Sequence, residues 1–298
     1  MCGLLLINKP SGITSFGVVS RIKRLTGERH IGHTGTLDPM ATGVLPVLIG
    51  RAAKLSDYLI CADKSYTAKI RLGITTDTLD ITGKVLSEKK VLVTECEVDS
   101  VLKSFLGESM QIPPMFSAVK KDGVRLYSLA RQGKEIDVPP RRITVFSAAR
   151  QSGINKSAEF TADFNVSKGT YIRSLVRDIG EKLGTGAVLT SLVRTKTAGF
   201  CIDECAELEN LTEENISEYI LPAENAVAYF NKATVTRAQA FRFSNGGSLS
   251  FERLKNSKFS EGEIVRVYLE DEFLGLAEAV SDKKELKFKC LINDLKGE

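Results

Sequence analysis

Residues 30–46, HIGHTGTLDPMATGVLP, hold both histidines of the chain, His30 and His33, and a single carboxylate, Asp38. Three kinds of chemistry fit these residue types. Two imidazoles and an acid could share a metal ion, although three ligands from one short segment, with no outer partner in view, make a poor metal site. An acid before proline also suits a turn, where it accepts local hydrogen bonds. The third possibility is a carboxylate held rigid for catalysis. Gly32, Gly35 and Gly43 permit positive φ or close backbone approach, Pro39 fixes φ just after the acid, and Thr34, Thr36 and Thr42 offer short hydroxyls. A carboxylate held in this way is preorganised. No G-x-x-x-x-G-K-[ST] occurs, and no G-x-G-x-x-G lies between a strand and a helix, so a phosphate-cradling nucleotide site has no support.

The elements that must position Asp38 are legible around it. TSFGVVSRIKRLTG reads as a helix with Thr14 or Ser15 as N-cap, Val18, Ile22 and Leu25 on one face, and Gly27 past its end. YTAKIRLG alternates Tyr66, Ala68, Ile70 and Leu72 with polar residues, the period of a half-buried strand. AEFTADFNV alternates again and runs into SKGTYIRSLVRDIGEKLG, a helix expected to open at Thr170, with Tyr171 and Arg173 in its first turn. EVDSVLKSFLG and RLYSLARQG read as short helices ended by glycine, and QIPPMFSAVKKDG between them as a loop with a basic tip. Past an acidic segment, short strand patterns EIVRVYLED and FLGLAEAV mark a different unit, about the size of a small β-barrel, with a boundary near Asn231.

At 298 residues the chain can bury one large core and a smaller satellite. Its apolar opening run is only four residues long, without a basic start or cleavage site, so neither a signal peptide nor a membrane span is expected and the cytoplasm is the default. Six cysteines without a C-x-x-C pair read as reduced thiols. Charge is uneven: residues 1–60 carry 7 Lys or Arg against 3 Asp or Glu, residues 61–150 carry 15 against 11, and residues 151–230 carry 7 against 12. A basic first half suits a polyanion, and a solvated charge face would look the same.

Five blocks, NKPSGITS, GHTGTLDPMATGVLPV, KSYTAKIRLG with TDTLDITG, QIPPMFSAVKKDGVRLYSLAR and VSKGTYIRSLVRDIG, resemble in that order the bacterial TruB family of tRNA pseudouridine-55 synthases, over roughly residues 3–200. The resemblance implies an α+β catalytic domain, residues 1–230, with a largely antiparallel mixed sheet flanked by helices, and a PUA-like β-barrel RNA-binding domain, residues 231–298. It implies isomerisation of one uridine in the T-arm stem-loop of tRNA, by a monomer with no cofactor, no metal and no obligate protein partner. Uracil is detached, rotated and rejoined through C5, which needs a carboxylate and a proton acceptor. On this reading Asp38 is the essential acid, and Tyr66 stacks on the flipped base and accepts the C5 proton. Arg173 pairs with Asp38, Tyr171 contacts the substrate, His33 occupies the vacated place in the loop, and Leu192 closes the pocket. Lys9, Lys120, Lys121 and Arg125 are expected on phosphates. LVRT gives one basic residue, Arg194, where the family commonly has two. The competing readings are a non-catalytic RNA-binding or RNA-folding protein, a guide-dependent synthase of the same superfamily, and a metal-dependent hydrolase using His30, His33 and Asp38.

Overall fold

The computed structural model describes residues 1–117, 120–121, 124–127, 132, 136, 138–254 and 258–294, with backbone only for Lys120, Lys121, Val124 and Arg125. The expected helix RLYSLARQG lies largely outside the described residues, as do the side chains of the basic tip.

Ten strands build the main sheet: β1 (Gly3–Lys9), β2 (Ile31–His33), β3 (Thr42–Ile49), β4 (Lys64–Leu72), β5 (Gly107–Gln111), β6 (Arg141–Arg150), β7 (Glu159–Val166), β8 (Ala187–Thr197), β9 (Phe200–Cys201) and β10 (Ala206–Glu207). They run in the order β10-β1-β3-β8-β4-β7-β6-β5, with β2 paired to β3 and β9 to β8. Only β1–β10 and β3–β8 are parallel, so the sheet is mixed and largely antiparallel, as expected.

Helices α1 (Ser15–Thr26), α2 (Glu95–Lys103) and α3 (Ile172–Lys182) flank it. Helix α1 starts where Thr14 accepts a hydrogen bond from the Gly17 amide and stops at Gly27, whose φ of 66° suits a residue without Cβ. Helix α2 opens with a full capping box, Thr94 and Glu97, and ends at Ser104, before the glycine the pattern pointed to. Helix α3 also departs from expectation. It is capped at Tyr171, with no capping side chain from its own segment, because the Thr170 hydroxyl is spent on the Ser167 carbonyl.

Leu175, Val176 and Ile179 of α3 pack with Ala68, Ile70 and Leu189 into one cluster, joined by Val98 and Leu102 of α2. The close approach of α3 to the sheet depends on Gly180, where a Cβ would lie 2.2 Å from the Ala187 nitrogen.

A second sheet follows: β11 (Asn231–Val235), β12 (Leu249–Ser250), β13 (Ile264–Leu269), β14 (Glu272–Val280) and β15 (Glu285–Leu291), in the order β11-β13-β14-β15-β12, with helix α4 (Arg237–Ser244) packed on it. It is an open, curled five-stranded sheet rather than a closed barrel, consistent with a PUA-like unit. Its own core includes Phe243, Leu249, Val265 and Leu274. A further cluster is shared, with Leu4, Leu6, Leu48 and Leu55 of the first part packed with Tyr268, Phe273, Leu276 and Ile292 of the second. The Tyr268 hydroxyl donates to Glu224, and the Arg266 Nε donates to the Phe230 carbonyl, 2.8 Å away.

Each leucine-sized side chain that loses its cover costs about 1.5–3 kcal/mol, against about 5–15 kcal/mol for the stability of a whole domain. A protein ending at residue 230 should therefore be strongly destabilised and aggregate. A soluble truncation with the thermal midpoint of the full chain would contradict this.

Candidate active site

Asp38 lies in the connection between β2 and β3, and that connection is fixed along its whole length. Leu37 and Ala41, on either side of the acid, are buried in the same cluster as Tyr66, Ile172 and Leu192. The Ser15 hydroxyl holds Leu37 from both sides, accepting from its amide at 2.9 Å and donating to its carbonyl at 3.3 Å. The Gly12 amide donates to the Pro39 carbonyl at 2.8 Å, and the Ala41 amide to the Asp38 carbonyl at 3.0 Å. Gly43 permits the exit: its φ is 102°, and a Cβ there would stand 2.2 Å from the Arg194 carbonyl oxygen, where β3 meets β8.

Arg173, in the first turn of α3, brings the second half of the site. Its Nη2 donates to Asp38 Oδ1 at 2.7 Å and to the Phe116 carbonyl at 2.8 Å, while Nη1 donates to the Thr78 carbonyl at 3.1 Å. Asp80 Oδ2 lies 3.9 Å from Nη1. Asp80 is itself fixed by the Thr78 hydroxyl at 2.9 Å and by the Thr82 amide and hydroxyl at 3.0 and 2.6 Å. The guanidinium is 5% exposed, whereas 32% of the Asp38 side chain remains accessible.

Burial pushes the Asp38 carboxyl above the usual carboxylate range, the neighbouring Asp80 adds to the rise, and the charge and hydrogen bond of Arg173 hold it back. The paired arginine thus opposes the rise that burial imposes on the acid. The acid is aimed and accessible, the arrangement required of a nucleophile or of a group that stabilises developing positive charge.

Tyr66 and Leu192 lie on the same face of the sheet, Tyr66 on β4 and Leu192 opposite Ala68, the next inward residue of β4. They are 7% and 5% exposed. Tyr171 is half-buried, and burial raises its hydroxyl pKa. His33, at the end of β2, is half-buried, and its buried Nδ1 finds no hydrogen-bond partner among the described residues. Burial, reinforced by the charge of Arg194, lowers its pKa, so the ring is held neutral near pH 7. The His30 side chain is 85% exposed and stands 3.9 Å from Glu28. Among the described residues no three His, Cys, Asp or Glu side chains gather where a metal could be held, and His30, His33 and Asp38 form no such cluster.

Lys9 corrects an expectation. It is completely buried, and its Nζ donates to the carbonyls of Pro10, Ile13 and Pro39 at 2.8, 2.7 and 3.2 Å. Burial lowers its pKa to about 8, against the pull of Asp38. The ammonium braces the backbone of the Asp38 loop from below and cannot reach a phosphate at the surface. Arg194 behaves likewise: at 1% exposed, it donates from Nε to the Val44 carbonyl at 2.8 Å and from Nη2 to the Gly35 carbonyl at 3.0 Å. The side chains of Lys120, Lys121 and Arg125 lie outside the described residues. Sequence reasoning also missed Asp80, although TDTLDITG repeats the signal of Asp38, an acid set among threonines beside a glycine.

Comparison with known proteins places this geometry. A chain in a crystal structure of a Cbf5–Nop10–Gar1 complex superposes with a TM-score of 0.75 at 26% identity, over 98% of this chain and 85% of that one. A chain in a structure of an H/ACA RNP bound to a substrate RNA containing 2′-deoxyuridine gives 0.74 at 25% identity, with coverage of 98% and 85%. The fold is thus shared with the chains of these complexes. Residues 23–172 match the model of the TruB family pseudouridylate synthase N-terminal domain, and residues 173–228 that of the tRNA pseudouridylate synthase B C-terminal domain. Proteins called tRNA pseudouridine synthase B are similar throughout. The one from Clostridium tetani is 44% identical over 95% of this chain and 97% of its own length, and that from Clostridium novyi 43% over 98% and 100%. The chain belongs to the TruB family of pseudouridylate synthases, isomerases that act on tRNA.

Two predictions follow from this geometry. Lys9→Met should cost about 2–4 kcal/mol in urea unfolding, since three partly buried carbonyls lose a charged donor. The tRNA affinity of the folded variant and its salt dependence should stay as they are; a reduced salt slope would return Lys9 to the phosphates. Arg173→Gln removes the charge that lowers the Asp38 pKa. Activity that needs ionised Asp38 falls as pH drops through that pKa, so the acid limb of the single-turnover rate should move to higher pH. An unmoved limb would mean that Arg173 does not hold Asp38 ionised.

Proposed function

We propose that the chain converts uridine 55 in the T-loop of tRNA to pseudouridine, with Asp38 as nucleophile on a flipped-out base. The observation that carries this reading is the Asp38–Arg173 bond of 2.7 Å, which sets an accessible carboxyl group against a guanidinium beside an apolar wall. The base stacks against Tyr66, with Leu192 closing the far side, and Tyr66 takes the proton that C5 must lose once it becomes the glycosidic carbon. Asp38 attacks either the sugar C1′ or the base C6, and both routes free the uracil to rotate. Tyr171 contacts the substrate at the mouth. His33, neutral and half-buried, occupies the place the base vacates. Lys120, with Lys121 and Arg125, supplies phosphate contacts that position the stem-loop.

Residues 1–230 act as the catalytic domain and residues 231–298 as a PUA-like RNA-binding domain. The protein works as a cytoplasmic monomer, without a cofactor or an obligate protein partner. No described helix is long and apolar enough to cross a membrane.

The similarity to the Cbf5-containing complexes favours a second reading, a guide-dependent synthase. One experiment separates the readings. Purified protein, alone and in chelator, is incubated with an unmodified tRNA transcript carrying 5-tritiated uridine, beside Asp38→Asn. About one tritium per tRNA should be released by the wild type and none by the variant, which should keep most of its affinity through its phosphate contacts. Tight binding without release would favour the guide-dependent enzyme or the RNA-binding protein. Release that requires metal would favour the hydrolase.

A further inference from the structure

Helix α3 carries Arg173 and Tyr171, yet nothing in its own segment caps it. The missing partner comes from the edge of the sheet. Gln111, the last residue of β5, is 3% exposed, and its carboxamide grips the main chain of Tyr171 at two points. Its Oε1 accepts from the Tyr171 amide at 2.8 Å, and its Nε2 donates to the Tyr171 carbonyl at 3.1 Å. The next residue extends the contact, since the Ile112 carbonyl accepts from the Ser174 hydroxyl at 2.9 Å. The Phe116 carbonyl, farther along the same connection, accepts from Arg173. The start of α3 is thus stitched to one strand end at residues 171, 173 and 174.

We infer that Gln111 is a positioning residue: its two-point grip on Tyr171 sets the start of α3, and through it the placement of the Arg173 guanidinium on Asp38 and of the Tyr171 ring on the substrate. The inference rests on the uridine isomerisation proposed above. A carboxamide suits the task because it offers one donor and one acceptor on a planar end, matching the N–H and C=O of a single residue. A carboxylate keeps only the acceptor and sets a lone pair against the Tyr171 carbonyl. A protonated carboxyl restores both bonds.

That difference supplies a test that a purely structural role would not pass. Single-turnover isomerisation of a tRNA transcript is measured from pH 5 to 8.5 for wild type, Gln111→Met and Gln111→Glu, with tRNA affinity measured alongside. Displacing a reacting group by about 1 Å costs on the order of 100-fold, so Gln111→Met should lose about 10–100-fold in rate with affinity within about threefold. Gln111→Glu should show a similar loss at pH 8 and recover towards the wild-type rate at each lower pH as its carboxyl takes up a proton. The charged and titratable groups around the position are Arg141, opposite in β6, Tyr171 and Arg173 of α3, and Asp38 beyond them. Asp38 titrates in all three proteins, and a displaced Arg173 raises its pKa in the variants, which lowers their rate towards acid pH; that is opposite in sign to the recovery expected of Gln111→Glu, so a Glu-to-wild-type ratio that rises towards low pH reports the introduced carboxyl. A Gln111→Met rate within about threefold of wild type, or a Glu-to-wild-type ratio flat across pH, would overturn the inference. If Gln111→Met fails to fold, Gln111→Glu carries the test through the same ratio. A wild type that releases no tritium would instead overturn the reading of the site, and this inference with it.

Discussion

The bond between Arg173 and Asp38 sets the terms for the rest of the molecule. A carboxylate in water needs no help to ionise, and one taken out of water does, so an enzyme that wants a desolvated acid must bury a cation beside it and then satisfy that cation. Arg173 meets the first need, and the Thr78 and Phe116 carbonyls with Asp80 meet the second at its two terminal nitrogens. Such a pair is no source of stability by itself, because desolvation offsets most of its attraction. It is retained where orientation matters more than stability, and here every group around it serves orientation.

The fold follows from holding two distant segments at that distance. Asp38 precedes β3, Arg173 opens α3, and 135 residues separate them. The parallel β3–β8 contact at Thr42–Gly43, tight enough to require a glycine, ties the loop to the sheet, and α3 packs on the face of the neighbouring strands. Below the loop, two buried cations, Lys9 and Arg194, are spent on main-chain carbonyls rather than on carboxylates. The Lys9 charge lies beneath the site and favours the ionised form of Asp38. Dispersion and hydrogen bonding thus fix the loop, and electrostatics sets its charge state.

Local pattern carried much of this in advance. Period-two alternation located β4 and β7, the glycine and threonine punctuation located α1, and the richness of Gly, Pro and Thr around Asp38 marked a rigid acid before any partner was known. Long-range pairing was not local. Nothing near Lys9 in NKPSGITS distinguishes a surface lysine from one buried under three carbonyls, because its partners include Pro39, thirty residues away. Thr170 likewise looked like the cap of α3 by type and spacing, but the real brace is Gln111, sixty residues earlier.

The central claim is that Asp38 faces the sugar or base of a uridine taken out of its stack. The structure of the Asp38→Asn protein bound to a T-arm stem-loop tests it most directly. The account predicts one uridine flipped out with its face on the Tyr66 ring, and the side chain of residue 38 about 3–3.5 Å from C1′ or C6 of that nucleotide. A loop still stacked in the complex, or residue 38 set against a phosphate with no base in the pocket, would contradict it.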